Sequence, residues 1–451
     1  MNKREFLKAS GAVVAGAMVS RIARGQKVTS GVEQRTNWAG NYTYRATHLD
    51  VPANVEQVKK EILAHARVKA LGARHSFNSI ADSSEEHISL KQFDGMELDE
   101  KSRTVTVGAG VTYGQLAPYL DVRGFAVHNM ASLPHISVVG ACATGTHGSG
   151  STNGNLSTAV RAMEMVTANG DTVTLSKDLL QESFAGTVVG LGALGVITKI
   201  TLEVEPAFQM TQVVYEDLSF SQLEENLEAI FASGYSVSLF TDWQKHRATQ
   251  VWIKQKTEPG VAGDVASDFY GAKPARRKMH PIADHSAESC TEQMGVPGPW
   301  FERLPHFKMN FTPSSGAELQ TEYFVPRAAG YGAIAAVEEL RDQITPHLFI
   351  TEFRTIAADE LWMSPAYQRD SMAIHFTWKP EWEAVRKVLP QIEEKLTPFG
   401  VRPHWAKLFT LKPAVVQEQY ARLKAFRALA GTYDPTGRFR NEFLDLNVFG
   451  V

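Results

Sequence analysis

The chain has 451 residues, 43% of them apolar, and its 46 Lys and Arg against 49 Asp and Glu leave a formal charge of −3. Single cores stop growing near ~250–300 residues, so a chain of this length can bury one large core or two medium ones, and two domains is the expected count. A nearly balanced charge without a long basic run argues against a nucleic-acid partner, and Cys142 and Cys290 alone are too few and too far apart for a zinc site or a disulfide framework.

The first element in chain order is a leader. Lys3-Arg4-Glu5-Phe6-Leu7-Lys8 precedes a mild apolar run from Ala9 to Val19, the basic-then-apolar order of an export signal. It resembles a twin-arginine signal with Lys3 where the first arginine normally stands. Residues 1–29 are therefore expected to be signal and linker, read by the twin-arginine export machinery. The protein is then periplasmic, or cytoplasmic if the signal does not function. No later apolar run reaches the ~20 residues needed to cross a bilayer, so no membrane span is expected.

Asn54 is placed to cap a helix over Val55 to Ala66, with Val55, Val58, Ile62 and Leu63 at helical spacing and Gln57 at the capping-box position. A short strand from Val68 to Leu71 delivers Gly72-Ala-Arg-His-Ser76. Arg103 to Val107 alternates as a half-buried strand does, and Gly108-Ala-Gly110 breaks it before a helix near Tyr113 to Leu120. The run Ser137-Val-Val-Gly-Ala-Cys-Ala-Thr-Gly-Thr-His-Gly-Ser-Gly150 reads as a loop cradling a diphosphate. Gly140, Gly145, Gly148 and Gly150 permit positive φ and a close approach of backbone N–H groups to an anion. It lacks the Lys-Ser/Thr ending of a P-loop and the strand-turn-helix GxGxxG of a Rossmann turn. Strands over Val160 to Thr167 and Thr172 to Leu175 flank the hairpin turn Ala168-Asn-Gly-Asp171. A second glycine cluster, Gly190-Leu-Gly-Ala-Leu-Gly-Val-Ile-Thr198, then runs into a strand from Ile197 to Val204.

Glu205-Pro206 reads as the domain boundary. Beyond Met210 longer alternating strands are separated by amphipathic helices over Ser221 to Ala232, Tyr331 to Ile344 and Glu381 to Leu396, which predicts a sheet covered on one side. The segment Pro259 to Pro299 lacks periodicity and reads as a surface excursion. Residues two apart on a strand share a face. That pairs Glu352 with Arg354, His375 with Thr377, and Glu318 and Gln320 with Glu322. Their alternates Phe353, Ile374 and Phe376 are apolar, so the polar face is expected to look into a cavity.

The Gly-x-x-His-Ser turn, the Ser137 to Gly150 run, the Gly-x-Leu-Gly-Val-Ile segment and Asp434-Pro-Thr-Gly-Arg-Phe-Arg-Asn441 together resemble the vanillyl-alcohol-oxidase type of FAD protein. More narrowly, Asn37-Trp-Ala-Gly-Asn41, Asn129-Met-Ala-Ser-Leu-Pro-His135, Phe240-Thr-Asp-Trp243, Cys290-Thr-Glu-Gln293 and His404-Trp405 resemble the alditol oxidases, also called xylitol oxidases. The resemblance implies an α+β flavoprotein of two domains: an FAD-binding domain over 30–205 completed by 413–451, and a cap over 206–412 of antiparallel sheet covered by helices. It implies FAD bound covalently through His75, with cofactor contacts from Gly72, Ala73, Arg74, Ser76, Ser132, Ser137, Val138, Gly140, Cys142, Gly145, Thr146, His147, Gly148, Gly195, Ile197 and Asn441. Relatives carry small residues where Arg74 stands, so Arg74 either points outward or touches the cofactor. Cys142 also reads as a small buried filler and His147 as a residue orienting its loop.

The resemblance further implies that Ser132, Glu352, Arg354, His375, Thr377 and Lys407 bind a linear sugar alcohol. Arg354 and Lys407 would favour the developing alkoxide, with Glu352 and Ser132 on the neighbouring hydroxyls and His375 and Thr377 on the far ones. The expected reaction is oxidation of a terminal hydroxyl to the aldose with O2 reduced to peroxide, by a monomer without a metal. An aldonolactone oxidase or dehydrogenase of the same fold, and a polyol-binding protein without turnover, are the competing readings. Trp243, Trp300, Trp378 and Trp405 are candidates either for a sugar-lining surface or for core packing.

Overall fold

A computed structural model of the chain describes residues 35–309 and 317–451; the expected leader lies outside the described residues. Strand β1 (His48–Asp50) leads to helix α1 (Val55–Ala64). Asn54 Oδ1 accepts from Gln57 N at 3.0 Å, and Gln57 Oε1 reaches back to Ala53 N at 2.8 Å, so the expected capping residues do start the helix. It ends two residues early because His65 is already extended. Strands β2 (Val68–Leu71) and β3 (Glu86–Ser89) join β1 in a parallel sheet of order β1-β3-β2. An antiparallel five-stranded sheet follows from β4 (Met96–Asp99), β5 (Thr104–Gly108), β6 (Val160–Val166), β7 (Thr172–Ser176) and β8 (Val196–Glu203), in the order β4-β5-β8-β6-β7.

Helix α2 (Tyr113–Asp121) sits where expected, but the start of the glycine run is helical. Ser137 is the extended N-cap of a short helix α3 (Val138–Ala143), and the loop begins only at Thr144. Positive φ occurs at Gly145 and Gly150 alone among the four glycines. Gly140 and Gly148 are needed for space instead. A Cβ on Gly148 would stand 2.3 Å from Asn129 Oδ1, and one on Gly140 2.6 Å from Ser137 Oγ.

Glu205–Pro206 pairs with Phe125–Ala126 and hands the chain to a nine-stranded antiparallel sheet. Its long strands are β9 (Gln209–Ser219), β10 (Ser236–Thr241), β11 (Arg247–Thr257), β12 (Leu319–Pro326), β13 (Leu348–Ile356) and β14 (Ser371–Trp378), ordered β9-β11-β10-β13-β14-β12. Helices α4 (Phe220–Phe231), α5 (Gly330–Glu338) and α6 (Trp382–Leu396) belong to one apolar cluster with Phe353, Ile374 and Phe376, so the alternate residues do pack the helices. The helix expected over Tyr331 to Ile344 breaks near Leu340 into α5 and a single turn, Arg341–Ile344.

The largest of four apolar clusters runs from Val105 and Leu202 in the five-stranded sheet to Trp378 under the nine-stranded one, and a smaller one joins Val58 and Ile62 of α1 to Val68 of β2, Ile88 of β3 and Phe439. The excursion is also more than surface. Lys273–Pro274 and Gly298–Pro299 both pair with β9, and Gln250 Nε2 on β11 holds His280 O at 2.8 Å. At the C-terminus, α7 (Leu423–Tyr433) leads to a tail that returns to β2: Val68 N donates to Arg438 O at 3.0 Å.

Candidate active site

A cavity of about 660 Å³ lies between the glycine segments and the polar face of the nine-stranded sheet. Strand register explains why the sheet side is so polar. Glu322 on β12 pairs with His375 on β14, which pairs with Glu352 on β13, so three titratable side chains form one row across three strands. Gln320 and Thr377 make the next row, and Arg354 stands two residues beyond Glu352 on the same face. All six line the cavity, as does Lys407.

The charges in this row are tightly paired. Glu322 and Glu352 are 2% and 5% exposed. Glu322 Oε1 accepts from Arg354 Nη2 at 2.6 Å and faces His147 Nε2 at 3.1 Å. Glu352 Oε1 accepts from His306 Nε2 at 2.8 Å and lies 3.6 Å from Arg354 Nε, while its Oε2 is 3.8 Å from His375 Nδ1. Burial alone would raise both carboxyls, but the neighbouring groups win: His147, Arg354 and His375 hold Glu322, and Arg354, His306 and His375 hold Glu352, well below the usual carboxylate range. Both stay ionised at neutral pH. Burial also pushes Lys407 down to about 8, with Glu322 opposing and Arg354 reinforcing the shift. Its Nζ donates to Gln320 Oε1 and sits 4.9 Å from the centre of the Phe77 ring.

Facing the sheet across the cavity is the His75 turn, clasped from two sides. Asn37 Nδ2 donates to Ser76 O at 2.9 Å, Asn41 Nδ2 to Phe77 O at 2.9 Å, and Trp38 N to Arg74 O at 2.8 Å. The Trp38 ring stacks on His75 with centroids 4.7 Å apart. On the other side, Phe77 N donates to Ala406 O at 2.7 Å and Asn78 Nδ2 to Lys407 O at 2.7 Å, which ties the turn to the loop carrying Lys407. Burial, with Lys407, His135 and Arg74, pushes His75 down to about 3, so its imidazole is neutral. Arg74 adopts φ 62 and sends its guanidinium outward to Thr36 O at 3.1 Å. The left-handed backbone explains why a small residue suits that position.

Of the expected cofactor residues, Gly72, Ala73, Arg74, His75, Ser76, Ser132, Ser137, Gly140, Thr146, His147, Gly195 and Ile197 line the cavity. Val138, Cys142, Gly145, Gly148 and Asn441 stand behind its wall. Cys142 is buried against Tyr113, with its thiol pushed by burial up to about 12, which makes it filler. Asn441 donates to the Ser79, Ile80 and Asp82 carbonyls and thereby pins the C-terminal tail. Both cysteines are free. The four tryptophans are buried in the core, and none lines the cavity.

Several wall residues were not legible in sequence. His306 lies in an irregular segment without periodicity. His280 and His285, stacked with centroids 5.1 Å apart, come from the excursion. Lys69, buried on β2 and pushed by burial down to about 7, donates to Gly192 O at 3.0 Å. Lys254 lies behind His306, its Nζ 3.1 Å from His306 Nδ1. For Lys69 the available signal was a charge inside an otherwise apolar strand, and for Lys254 a charge directly after the apolar run Val251-Trp-Ile253.

The glycine side suits a long cofactor bearing an anion. Gly72 and Gly140 bracket Ser137 Oγ so closely that a Cβ on either would come within 2.6 Å of it, leaving bare backbone along the wall, and Lys69 adds a buried amine donor at the Gly192 end. The sheet side suits a small polar molecule: Arg354 Nε and His375 Nε2 are buried there without a hydrogen-bond partner.

Residues 46–176 match the family model described as FAD binding domain, and residues 315–447 that of D-arabinono-1,4-lactone oxidase. Cholesterol oxidase from B. sterolicum shares the fold, with a TM-score of 0.72 over 95% of this chain and 100% of that one at 14% identity. Fold and site define an FAD-dependent oxidoreductase of the vanillyl-alcohol-oxidase type. The chain is 47% identical to the alditol oxidase of Streptomyces sp. (strain IKD472 / FERM P-14339), over 91% of this chain and 97% of that one. It is 26% identical to the L-gulonolactone oxidase of Scyliorhinus torazame over 92% and 98%. The chain belongs to the alditol oxidase family.

Proposed function

We propose that the protein oxidises the terminal hydroxyl of linear sugar alcohols of the xylitol and sorbitol class to the aldose, with O2 reduced to H2O2. The observation that carries this reading is the row Glu322, His375 and Glu352, flanked by Arg354 and Lys407 and facing the His75 turn across one cavity. A polyol offers only hydroxyls, so its recognition needs several convergent donors and acceptors. FAD, held by Gly72 to Ser76, Ser132, Ser137, Gly140, Thr146, His147, Gly195 and Ile197 and bonded through His75, would accept the hydride from the polyol and pass its two electrons on to O2. Arg354 and Lys407 favour the alkoxide form of the reacting hydroxyl, Glu352 and Ser132 hold the neighbouring hydroxyl, and His375 and Thr377 hold the far ones. A neutral His75 stacked on Trp38 suits a covalent bond to the flavin.

In this reading residues 30–205 and 413–451 form the FAD domain and 206–412 the cap, and residues 1–29 direct export to the periplasm of a monomer. Among the described residues no helix is long and apolar enough to cross a membrane. The match of residues 315–447 to the lactone oxidase family model supports an aldonolactone as the competing substrate.

Peroxide release from purified holoenzyme against xylitol, sorbitol, mannitol, glycerol and gulonolactone tests the substrate class. The expected result is turnover of the open polyols well above the lactone. Higher kcat/KM on gulonolactone overturns the assignment, and a protein that is colourless and without turnover overturns the enzyme reading. A yellow acid-precipitated pellet that turns white in His75→Ala is expected for the covalent bond.

A further inference from the structure

Glu352 accepts through Oε1 from His306 Nε2 at 2.8 Å. A carboxylate only accepts, so this contact requires hydrogen on Nε2. The other ring nitrogen, Nδ1, is 3.1 Å from Lys254 Nζ; the lysine in its ammonium form only donates, so against the charged lysine Nδ1 carries the lone pair. The two neighbours demand the same neutral tautomer. Lys254 is 1% exposed and uses its remaining donors on Leu304 O at 2.5 Å and Pro305 O at 3.2 Å. Among the described residues it has no carboxylate in contact. A cation buried in this way is expensive, and burial brings its pKa down to about 7.

The peptide on which Lys254 acts is itself fixed. Thr291 N donates to His306 O at 2.9 Å and Thr291 Oγ1 to Pro305 O at 2.8 Å, so the Cys290 to Gln293 segment of the excursion clamps the His306 loop. These bonds fix the backbone from which the His306 imidazole reaches Glu352.

We propose that Lys254 and His306 are positioning residues of the substrate site: Lys254 locks His306 as the Nε2–H tautomer, and His306 holds Glu352 Oε1 so that Oε2 is free to accept from a substrate hydroxyl. The proposal rests on the reading of Glu352 as a substrate-binding carboxylate. The groups facing Glu352 are His306, Arg354 and His375, with Lys254 and Lys407 acting at longer range. Loss of the His306 N–H removes one of the groups keeping this carboxyl ionised, so its pKa rises and the acidic limb of kcat/KM moves to higher pH.

Peroxide-release kinetics across pH on flavin-matched holoenzymes test it. His306→Leu is expected to raise KM for the polyol about tenfold with little change in kcat, and to shift the acidic limb upward, as loss of a hydrogen bond to a charged group does. His306→Gln keeps an N–H for Glu352 and needs no tautomer lock, so it restores most of KM. Lys254→Met raises KM when residue 306 is His but not in the His306→Gln background, a non-additivity that simple loss of packing does not produce. Parent-like KM and acidic limb in His306→Leu and Lys254→Met, with KM raised in Glu352→Gln, overturn the proposal and leave the substrate site standing. An unchanged KM in Glu352→Gln overturns the reading of the site and the proposal with it. If His306→Leu does not fold, equal effects of Lys254→Met in the parent and in the His306→Gln background overturn the tautomer lock.

Discussion

Lys407 offers the sharpest test of how the reacting hydroxyl loses its proton. Burial lowers the lysine to about 8, so at neutral pH roughly nine in ten molecules carry the cation. An ammonium that stabilises an alkoxide must be charged, so kcat/KM for the polyol is expected to decline as pH rises through about 8. A neutral lysine acting as base would give the opposite sign, a rise through the same pH. Unfolding through this group does not mimic the decline. The folded pKa is below the unfolded one, so between the two values the unfolded chain binds more protons and Lys407's contribution to stability grows with pH. Lys407→Met removes a charge-assisted donor worth ~1.5–3 kcal/mol, or about 10–150-fold in kcat/KM at neutral pH, and abolishes the alkaline decline. Lys407→Arg keeps the charge at all accessible pH, so it loses the decline while retaining part of the rate. The assay is initial peroxide release across pH, with thermal unfolding measured at each pH. A decline that persists in Lys407→Arg, or a parent rate that rises through about 8, refutes the alkoxide role.

Glu322 and Arg74 give independent checks. Glu322 Oε1 receives both the Arg354 and the His147 contacts, so Glu322→Gln can keep both acceptor geometries and lose only the charge, whereas Glu322→Leu strands both partners. Loss of one side of a buried pair costs ~3–5 kcal/mol, so thermal unfolding should place Leu well below Gln, and equal losses would contradict the pairing. Because the folded Glu322 carboxyl is depressed, its stabilisation is full above the ordinary glutamate range and drains as pH falls toward the folded value; Glu322→Gln should flatten that acid dependence. Arg74→Gly relieves a left-handed backbone worth ~1–2 kcal/mol but loosens the unfolded chain by ~0.5–1 kcal/mol and removes an exposed bond to Thr36 O. A small change in Tm with full flavin content is expected, and loss of flavin would show that Arg74 acts on the cofactor.

Local chemistry made much of this molecule legible in its sequence. Asn54 and Gln57 start α1 because their side chains satisfy N–H groups within one turn, and Asn169-Gly170 turns a hairpin because glycine tolerates positive φ. Strand period two placed Glu352 with Arg354 and His375 with Thr377 on shared faces without knowledge of any neighbour. The glycine run marked a bare wall, although small apolar residues from Val138 to Ala143 wound its first part into a helix.

Which face meets which could not be read along the chain. The row from Glu322 through His375 to Glu352 exists because three strands far apart in sequence align in one hydrogen-bond register, and a one-residue slip in any of them would turn its polar side chains into the helices. Lys254 and His306 are 52 positions apart and come together through folding of the aperiodic excursion onto β9 and β11. The sequence by itself determined the residue types, the local turns and the face of each strand, since these depend on neighbours within a few bonds. Only the tertiary structure decided that two carboxylates are each backed by a histidine, because that depends on long-range register and on a shared core that closes the two sheets over one cavity.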